Sequence, residues 1–255
     1  MNNKISKLFD DKTSGSFEIL YELHNHLKEQ ISFLKIFPNF VENVADKFPS
    51  FENIQKYLSE LKLSIKKNNI DKFFKKYDKY FQNINDTLFL HSQNELKKFD
   101  TFLTISNSKT LFELFIRLKI TNPKLKVIIC ESRPKFEGRI FAQKLSKNKI
   151  NVEIITESMI YLKTKEIDAG IIGADSILKN GNVVNKVGSA LIALSCKNFN
   201  KPFFVVADKS KFKKTNRFIQ KGMPPDEIWR HNNTKIKNFY FEEIPKNLIT
   251  KIISD

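Results

Sequence analysis

Polar and charged side chains in the second half of this chain have the chemistry to hold a phosphorylated small molecule. Arg133 and Asp175 stand just beyond apolar runs, and Lys186 lies in an Asn-Lys-Val-Gly sequence. Arginine and lysine bind phosphate oxygens through charge-assisted hydrogen bonds. A carboxylate such as Asp175 can contact sugar hydroxyls or transfer a proton. These residue types together predict a site for a phosphorylated small molecule.

The glycines mark the same region. The chain has only 7 glycines in 255 residues, and five of them lie between Gly138 and Gly188. Glycine is needed where a side chain does not fit or where φ is positive. We therefore expect the site to lie near this part of the chain.

The elements that position these residues are predicted from a change in hydrophobic period near residue 99. Short apolar runs alternate with helix-like segments, which indicates a parallel sheet with helices on both faces. In such a sheet, ligands bind outside the carboxyl ends of the strands. The predicted strands are Thr101–Ile105, Lys126–Cys130, Val152–Ile155, Ala169–Ile172 and Phe203–Ala207, and the predicted helices are Lys109–Leu118, Gly138–Lys147, Glu157–Lys165 and Gly188–Lys197.

The first third of the chain has a helical pattern instead. Apolar residues recur at helical spacing, which predicts helices over Ser14–Phe37, Ser50–Asn68 and Asp71–Lys98, with Ser50 as an N-cap. The sequence thus predicts an α/β protein with a helical N-terminal domain at residues 1–98. A Rossmann-like ligand-binding domain follows at residues 99–255.

Composition narrows the function classes. The net charge is +16, from 44 Lys+Arg and 28 Asp+Glu. Because lysine, asparagine, isoleucine and phenylalanine are abundant everywhere, we attribute this charge to base composition and do not expect a nucleic-acid partner.

No apolar run is long enough for a membrane span, and no signal peptide is recognised. Two cysteines without partner spacing predict a cytoplasmic location, and four histidines without ligand spacing predict neither metal nor cofactor.

Each candidate residue also has a structural interpretation. Ser106 and Ser108 could cap the helix that follows them. Arg133 could pair with Glu131, and Asp175 could cap the next turn. The sequence Asn185–Gly188 is predicted to form a loop whose amides, at a helix N-terminus, could hold an anion.

Three motifs are distinctive in residue order: CESRPKFEGR at 130–139, IIGADSILKNGNVVNKVGSA at 171–190 and KPFFVVADKSK at 201–211. They resemble the translation initiation factor 2B-related family. That family holds regulatory subunits of the eukaryotic guanine-nucleotide exchange factor and their archaeal relatives, together with methylthioribose-1-phosphate and ribose-1,5-bisphosphate isomerases. FLTISNSKTL at 102–111, DKTSGS near the start and the closing segment of the chain extend the resemblance.

The resemblance implies a ligand set and two alternative functions. Family isomerases use a cysteine after the first strand and an aspartate in a Gly-Ala-Asp sequence. Here the aspartate is Asp175, but Ile105 and Ser106 replace the His-Cys pair of ribose-bisphosphate isomerases. A serine hydroxyl is far less acidic than a thiol of pKa about 8.5, so we expect proton transfer by Ser106 to be much slower. The implied ligand-binding residues are Ser106, Asn107, Ser108, Arg133, Asp175, Asn185 and Lys186.

We therefore expect a regulatory protein that binds a sugar phosphate or a nucleotide monophosphate. The alternative is a divergent aldose–ketose isomerase, an intramolecular oxidoreductase, with Asp175 as acid/base and Ser106 or a water in place of the thiol. Whether the protein is an enzyme stays open. Family members commonly dimerise through the α/β domain, so the expected assembly is a homodimer or a hetero-oligomer of the family type.

Overall fold

The first third of the chain forms a layer of helices. A computed structural model describes residues 8–11, 13–30 and 40–255. Within these, α1 (Ser16–Glu29), α2 (Phe40–Lys47), α3 (Glu52–Lys66) and α4 (Ile70–Leu96) pack around a core rich in aromatic rings. We call these four helices the helical layer. The first helix was predicted over Ser14–Phe37, but it begins two residues later and ends at Glu29, because Gln30 has a non-helical φ of −130° and ψ of 48°. Its predicted end at Phe37 lies outside the described residues.

The predicted cap of α3 is wrong. Phe51, not Ser50, occupies the N-cap position, and no side chain caps this helix. The Phe51 ring instead stacks on Phe48 at 5.7 Å with an interplanar angle of 8°. Burial of this aromatic pair thus fixes the start of the helix in place of a hydroxyl cap.

The rest of the chain is built on a six-stranded sheet whose neighbouring strands all run parallel. The strand order is β3-β2-β1-β4-β7-β9. Strands β1 to β3 therefore follow one another toward one edge of the sheet, and β4, β7 and β9 follow one another toward the other edge, so the strand order reverses between β1 and β4. Helices cover both faces, as predicted. The strands are β1 (Thr101–Ile105), β2 (Lys126–Cys130), β3 (Asn151–Ile155), β4 (Ala169–Ile172), β7 (Phe203–Val206) and β9 (Lys251–Ile253), and the helices are α5 (Lys109–Thr121), α6 (Glu137–Lys147), α7 (Ile160–Thr164) and α8 (Ser189–Asn198).

A second, three-stranded antiparallel sheet lies beside it and was not predicted. It consists of β5 (Ser176–Ile177), β6 (Val183–Lys186) and β8 (Phe241–Ile244) in the order β5-β6-β8. Asn185 and Lys186 are therefore strand residues, whereas the sequence predicted a loop. These three strands read SI, VVNK and FEEI and contain no continuous apolar run of the kind that marked the main sheet, which explains why the pattern missed them.

The helical layer rests against the carboxyl ends of the parallel strands. The backbone N–H of Glu52 donates to the carbonyl of Asp175 at 3.3 Å, and Asn107 Nδ2 donates to the carbonyl of Thr13 at 3.3 Å. The segment before α1 thus meets the turn after β1, and the start of α3 meets the turn after β4. No helix in the described part of the chain is long and apolar enough to cross a membrane.

Candidate functional site

A cavity of about 200 Å³ lies between the helical layer and the carboxyl ends of β1 and β4. These two strands flank the point where the strand order reverses, which is where ligands bind in open α/β sheets. The residues that line the cavity include Asp11, Ser16, Phe48, Phe51, Ser106, Asn107, Ser108, Glu137, Asp175, Asn185, Lys186, Lys211, Lys221, Tyr240 and Phe241. The structure thus brings together six of the seven ligand-binding residues expected from the sequence, all except Arg133.

Asp175 and Lys211 are opposite charges buried in the wall of this cavity. They are only 8% and 3% exposed. Burial raises the pKa of Asp175, and the positive charges of Lys211 and Lys186 oppose this shift. Burial likewise lowers the pKa of Lys211, opposed by Asp208 and Asp175. The Lys211 ammonium donates to the Ser16 hydroxyl, so helix α1 helps to position it.

Lys211 was not among the predicted ligand residues. It belongs to a short 3-10 turn, Lys209–Lys211, directly after β7. The side chain of Asp208 caps this turn by accepting from the Ser210 N–H at 2.8 Å. The sequence contains the signal, since Asp208-Lys209-Ser210-Lys211 follows an apolar strand, but only the turn decides which lysine is buried.

A second buried ion pair joins Lys186 to Glu137. Lys186 Nζ lies 2.8 Å from Glu137 Oε1, and the lysine is only 2% exposed. Burial raises the pKa of Glu137, although Lys186 opposes the shift. Glu137 Oε2 has no hydrogen-bond partner in the described part of the chain, and Lys186 Nζ also lies 4.9 Å from the centre of the Tyr240 ring. The predictions missed Glu137, which stands 49 residues from its partner.

The turn after β1 holds three predicted residues in different ways. Ser106 has a positive φ of 73°, and its N–H donates to Ser132 Oγ at 2.8 Å. Positive φ is unusual for a residue with a side chain and commonly marks a functional turn. Ser108 is the N-cap of α5, with its hydroxyl accepting from the Leu111 N–H at 3.2 Å. Asn107 is buried against the N-terminal segment. Of the three, Ser108 thus matches its structural interpretation as a helix cap.

Arg133 is separated from this group. It is exposed and does not line the cavity, and its guanidinium carbon lies 5.1 Å from the centre of the Phe136 ring. The suggested pairing with Glu131 is also replaced, because Arg139 binds Glu131 at 2.5 Å. The geometry therefore does not support a direct contact between Arg133 and a ligand of the cavity.

The helix N-terminus predicted to hold an anion is occupied by a side chain of the protein. Glu242 Oε1 accepts from the N–H groups of Gly188 and Ala190, each at 2.8 Å. Gly188 itself has a φ of +105°, which a residue with a side chain rarely adopts. Because β8 pairs with β6, it delivers the Glu242 carboxylate to this helix end, so the predicted anion site is filled by a side chain of the protein.

Neither cysteine reaches the cavity. Cys130 and Cys196 are both buried elsewhere, and none of the four histidines lines the cavity wall. Burial raises the pKa of Cys196 to about 12 and that of Cys130 further still. The cavity therefore lacks a thiol, and the first side chain after β1 that lines it is the hydroxyl of Ser106. In the described residues, no group of three side chains suited to a metal ion occurs.

Comparison with known proteins agrees with the resemblance seen in the sequence. A sequence model described as "Initiation factor 2 subunit family" matches residues 6–255. A Pyrococcus furiosus protein named "Putative translation initiation factor eIF-2B subunit 2-like" is 35% identical over 158 residues, covering 61% of this chain and 56% of the relative. Ribose 1,5-bisphosphate isomerase of Archaeoglobus fulgidus is 28% identical over 172 residues, covering 64% and 55%. The alignments thus span little more than half of each relative.

The fold has a close counterpart among solved structures. The crystal structure of Pyrococcus horikoshii OT3 translation initiation factor eIF-2B matches with a TM-score of 0.84 and 24% identity, covering 99% of this chain and 95% of that chain. This likeness confirms the predicted fold class. The relatives include proteins named as initiation-factor subunits and proteins named as sugar-phosphate isomerases, so the family accommodates both.

Proposed function

We propose that this chain, which belongs to the initiation factor 2 subunit family, is an initiation factor 2B subunit-like protein with a regulatory ligand site. Its cavity binds a sugar phosphate or a nucleotide monophosphate, and a protein partner responds to the bound state. The observation that carries this proposal is the pair of buried lysines, Lys186 and Lys211, in a cavity that has no thiol.

The two lysines suit a phosphate group because they are withheld from bulk water. A charge in a low-dielectric site interacts more strongly with an opposite charge than it does at the surface. A phosphate would supply charge-assisted hydrogen bonds to both ammonium groups. Asp175, in the same wall, would accept from a sugar hydroxyl, and Asn185 and Asn107 would contribute amide groups.

A regulatory function is favoured over catalytic turnover because the cavity offers few groups that could transfer protons. Aldose–ketose isomerisation needs groups that give and take protons near neutral pH. Ser106 offers only a hydroxyl, and no histidine lines the cavity to activate it. A site that keeps phosphate-binding charges without a matched acid/base pair would bind its ligand and convert it slowly.

The alternative function is an aldose–ketose isomerase of a phosphorylated pentose. One observation favours it: burial raises the pKa of Asp175, as expected of a carboxyl that acts as a general acid. Ser106 or a bound water would then stand in for the thiol. The relative named ribose 1,5-bisphosphate isomerase makes this chemistry the natural comparison.

We also propose that the protein forms a homodimer through the α/β part of the chain. Leu191 and Leu194, on one face of α8, are 53% and 51% exposed. Tyr161 and Leu162 of the neighbouring α7 are exposed as well. A contiguous apolar surface of this kind marks an association site, and a second copy of the chain would bury it.

Ligand-dependent melting followed by NMR separates the two functions. The protein is screened against ribose 1,5-bisphosphate, methylthioribose 1-phosphate, AMP and inorganic phosphate, and each stabilising compound is incubated and examined for a ketose product. A ligand at about 100 times its Kd should raise Tm by about 5 °C or more. Stabilisation without conversion supports regulation, whereas conversion that is lost in Asp175→Asn establishes the isomerase. Failure of every phosphorylated compound to stabilise the protein contradicts both.

A further inference from the structure

A long basic loop joins β7 to β8 and is separate from the cations buried in the cavity. Residues 213–237 contain no helix or strand beyond a single 3-10 turn, Pro225–Glu227. The exposed cations of this loop are Lys214, Arg217, Lys221, Arg230, Lys235 and Lys237. Among the described residues, none of these six forms an ion pair.

The acidic residues of the loop do not neutralise these cations. Glu227 is only partly exposed and is held inward, where it pairs with Lys135 at 3.6 Å and accepts from Asn238 Nδ2 at 3.1 Å. Asp226 is the other carboxylate between residues 213 and 237. The outward surface of the loop is therefore strongly positive. Residues 213–237 carry seven lysines and arginines against two carboxylates, whereas composition alone led us to expect no nucleic-acid partner.

The loop is anchored to the fold at several points. The N–H of Lys179 donates to the carbonyl of Thr215 at 3.1 Å, and Gly222 and Phe239 form an antiparallel bridge. Asn238 Nδ2 donates to the carbonyl of Pro224 at 2.8 Å. These contacts close residues 223–238 into a loop with a fixed base, so the cations are presented on a supported surface.

An aromatic platform stands within the same surface. Trp229 and His231 stack with ring centres 4.3 Å apart and an interplanar angle of 19°, and Trp229 is 54% exposed. An exposed ring that is already stacked on one face leaves its other face for a planar partner. Basic side chains that contact phosphates, together with aromatic rings on which bases stack, are the combination that binds single-stranded nucleic acid.

We propose that residues 213–237 bind single-stranded nucleic acid, with the six cations contacting phosphates and Trp229 stacking on a base. Of its six cations, only Lys221 also lines the ligand cavity, and the proposal does not rest on the function proposed for that cavity. An acidic protein segment would match the charge, but the exposed Trp229–His231 stack favours a partner with planar bases.

Trp229 gives a direct test because it is the only tryptophan in the chain. Its fluorescence is followed while a single-stranded RNA of about 20 nucleotides is added to the full chain, with the DNA of the same sequence in parallel. We expect quenching that saturates and an affinity that falls as salt rises. If the RNA and the DNA bind equally, the phosphates and bases that they share are the groups recognised. If the RNA binds more tightly, the 2′-hydroxyl contributes to recognition.

Matched variants assign the binding to this surface. Lys214→Gln, Arg217→Gln and Arg230→Gln together should weaken RNA binding tenfold or more, as an order of magnitude, and make the salt dependence shallower. The control removes the same charge from exposed lysines of α4, through Lys72→Gln, Lys75→Gln and Lys79→Gln, and should bind as the wild type does. Trp229→Ala, followed by anisotropy of labelled RNA, should lose about tenfold.

Three results would overturn the proposal. Absence of binding and of quenching at low salt would exclude the site. Equal weakening by the two triple variants would show that diffuse charge, not this loop, attracts the polymer. Binding of polyglutamate as tight as that of RNA, with no loss in Trp229→Ala, would assign the surface to an acidic protein partner.

Discussion

Lys211 is withdrawn from water between two carboxylates, Asp175 and Asp208, and its ammonium has a specific hydroxyl partner in Ser16. Taking a lysine out of water is costly unless its charge is compensated. Asp175 and Asp208 supply that compensation for Lys211. At the residue scale, the cavity is therefore defined by where its charges are buried, not by how many the chain contains.

The role of Lys211 is tested by Lys211→Met, with Lys209→Met as a matched control on the same turn. Lys209 is exposed and Lys211 is buried. Hydrogen bonds to charged groups contribute about 1.5–3 kcal/mol, so Lys211→Met should weaken binding of a stabilising sugar phosphate by about 10- to 100-fold. Calorimetry should show little change for Lys209→Met. Equal effects of the two substitutions on binding would show that Lys211 does not contact the ligand.

The substitution Arg133→Ala distinguishes between the role of Arg133 that the sequence predicts and the position that the structure gives it. The sequence predicts a phosphate contact, whereas the side chain is exposed and outside the cavity wall. We expect the affinity for the sugar phosphate to stay within about twofold, as for a surface substitution. A loss on the scale expected for Lys211→Met would mean that Arg133 reaches the ligand after all.

At the scale of elements, a buried histidine links three helices of the helical layer. His24 of α1 lies 3.1 Å from the Tyr57 hydroxyl of α3 through Nδ1, and 3.1 Å from Asp78 Oδ1 of α4 through Nε2. Lys28 also binds Asp78, at 2.8 Å. Burial lowers the pKa of His24, and Asp78 partly opposes the shift. The histidine therefore folds in its neutral form.

This arrangement predicts a pH dependence with a definite sign. The unfolded histidine has a pKa of about 6.5, so below that pH the unfolded state binds more protons than the folded state. The contribution of His24 to stability is present above pH 6.5 and is lost as pH falls toward the lower folded pKa. Tm should therefore decrease on going from neutral to mildly acidic pH, and His24→Gln should decrease less. The control is His91→Gln, at an exposed site; the prediction fails if both variants keep the full slope.

At the scale of the whole molecule, the exposed apolar faces of α7 and α8 predict assembly. Leu191→Glu places a charge in the centre of this surface and should convert a dimer to a monomer, because a buried unpaired charge opposes association. Leu63→Glu is the control, since Leu63 is a similarly exposed leucine, at 57%, in the helical layer. Sedimentation equilibrium distinguishes the states. A Leu191→Glu protein that remains dimeric would place the interface elsewhere.

The sequence by itself determined five of the six strands of the main sheet, and it did not predict β9 (Lys251–Ile253). The strands at residues 101–105, 126–130 and 169–172 match their predicted bounds, because short apolar runs that end in polar turns and alternate with helical segments are typical of buried parallel strands. The motifs after β1 and β4, and the resemblance they carry, also came from local order along the chain. Most predicted ligand residues meet in one cavity because the carboxyl ends of parallel strands lie at a common edge.

Only the tertiary structure decided which charges serve the cavity. Glu137 pairs with Lys186 across 49 residues, and Glu242 occupies the helix end at Gly188 across 54. Neither contact has a local sequence signal, since each depends on elements brought together by pairing and packing. The same holds for the burial of Lys211 and the exposure of Arg133. Sequence order fixes which residues follow a strand, but whether a side chain turns toward a cavity, a neighbouring carboxylate or water depends on the fold that surrounds it.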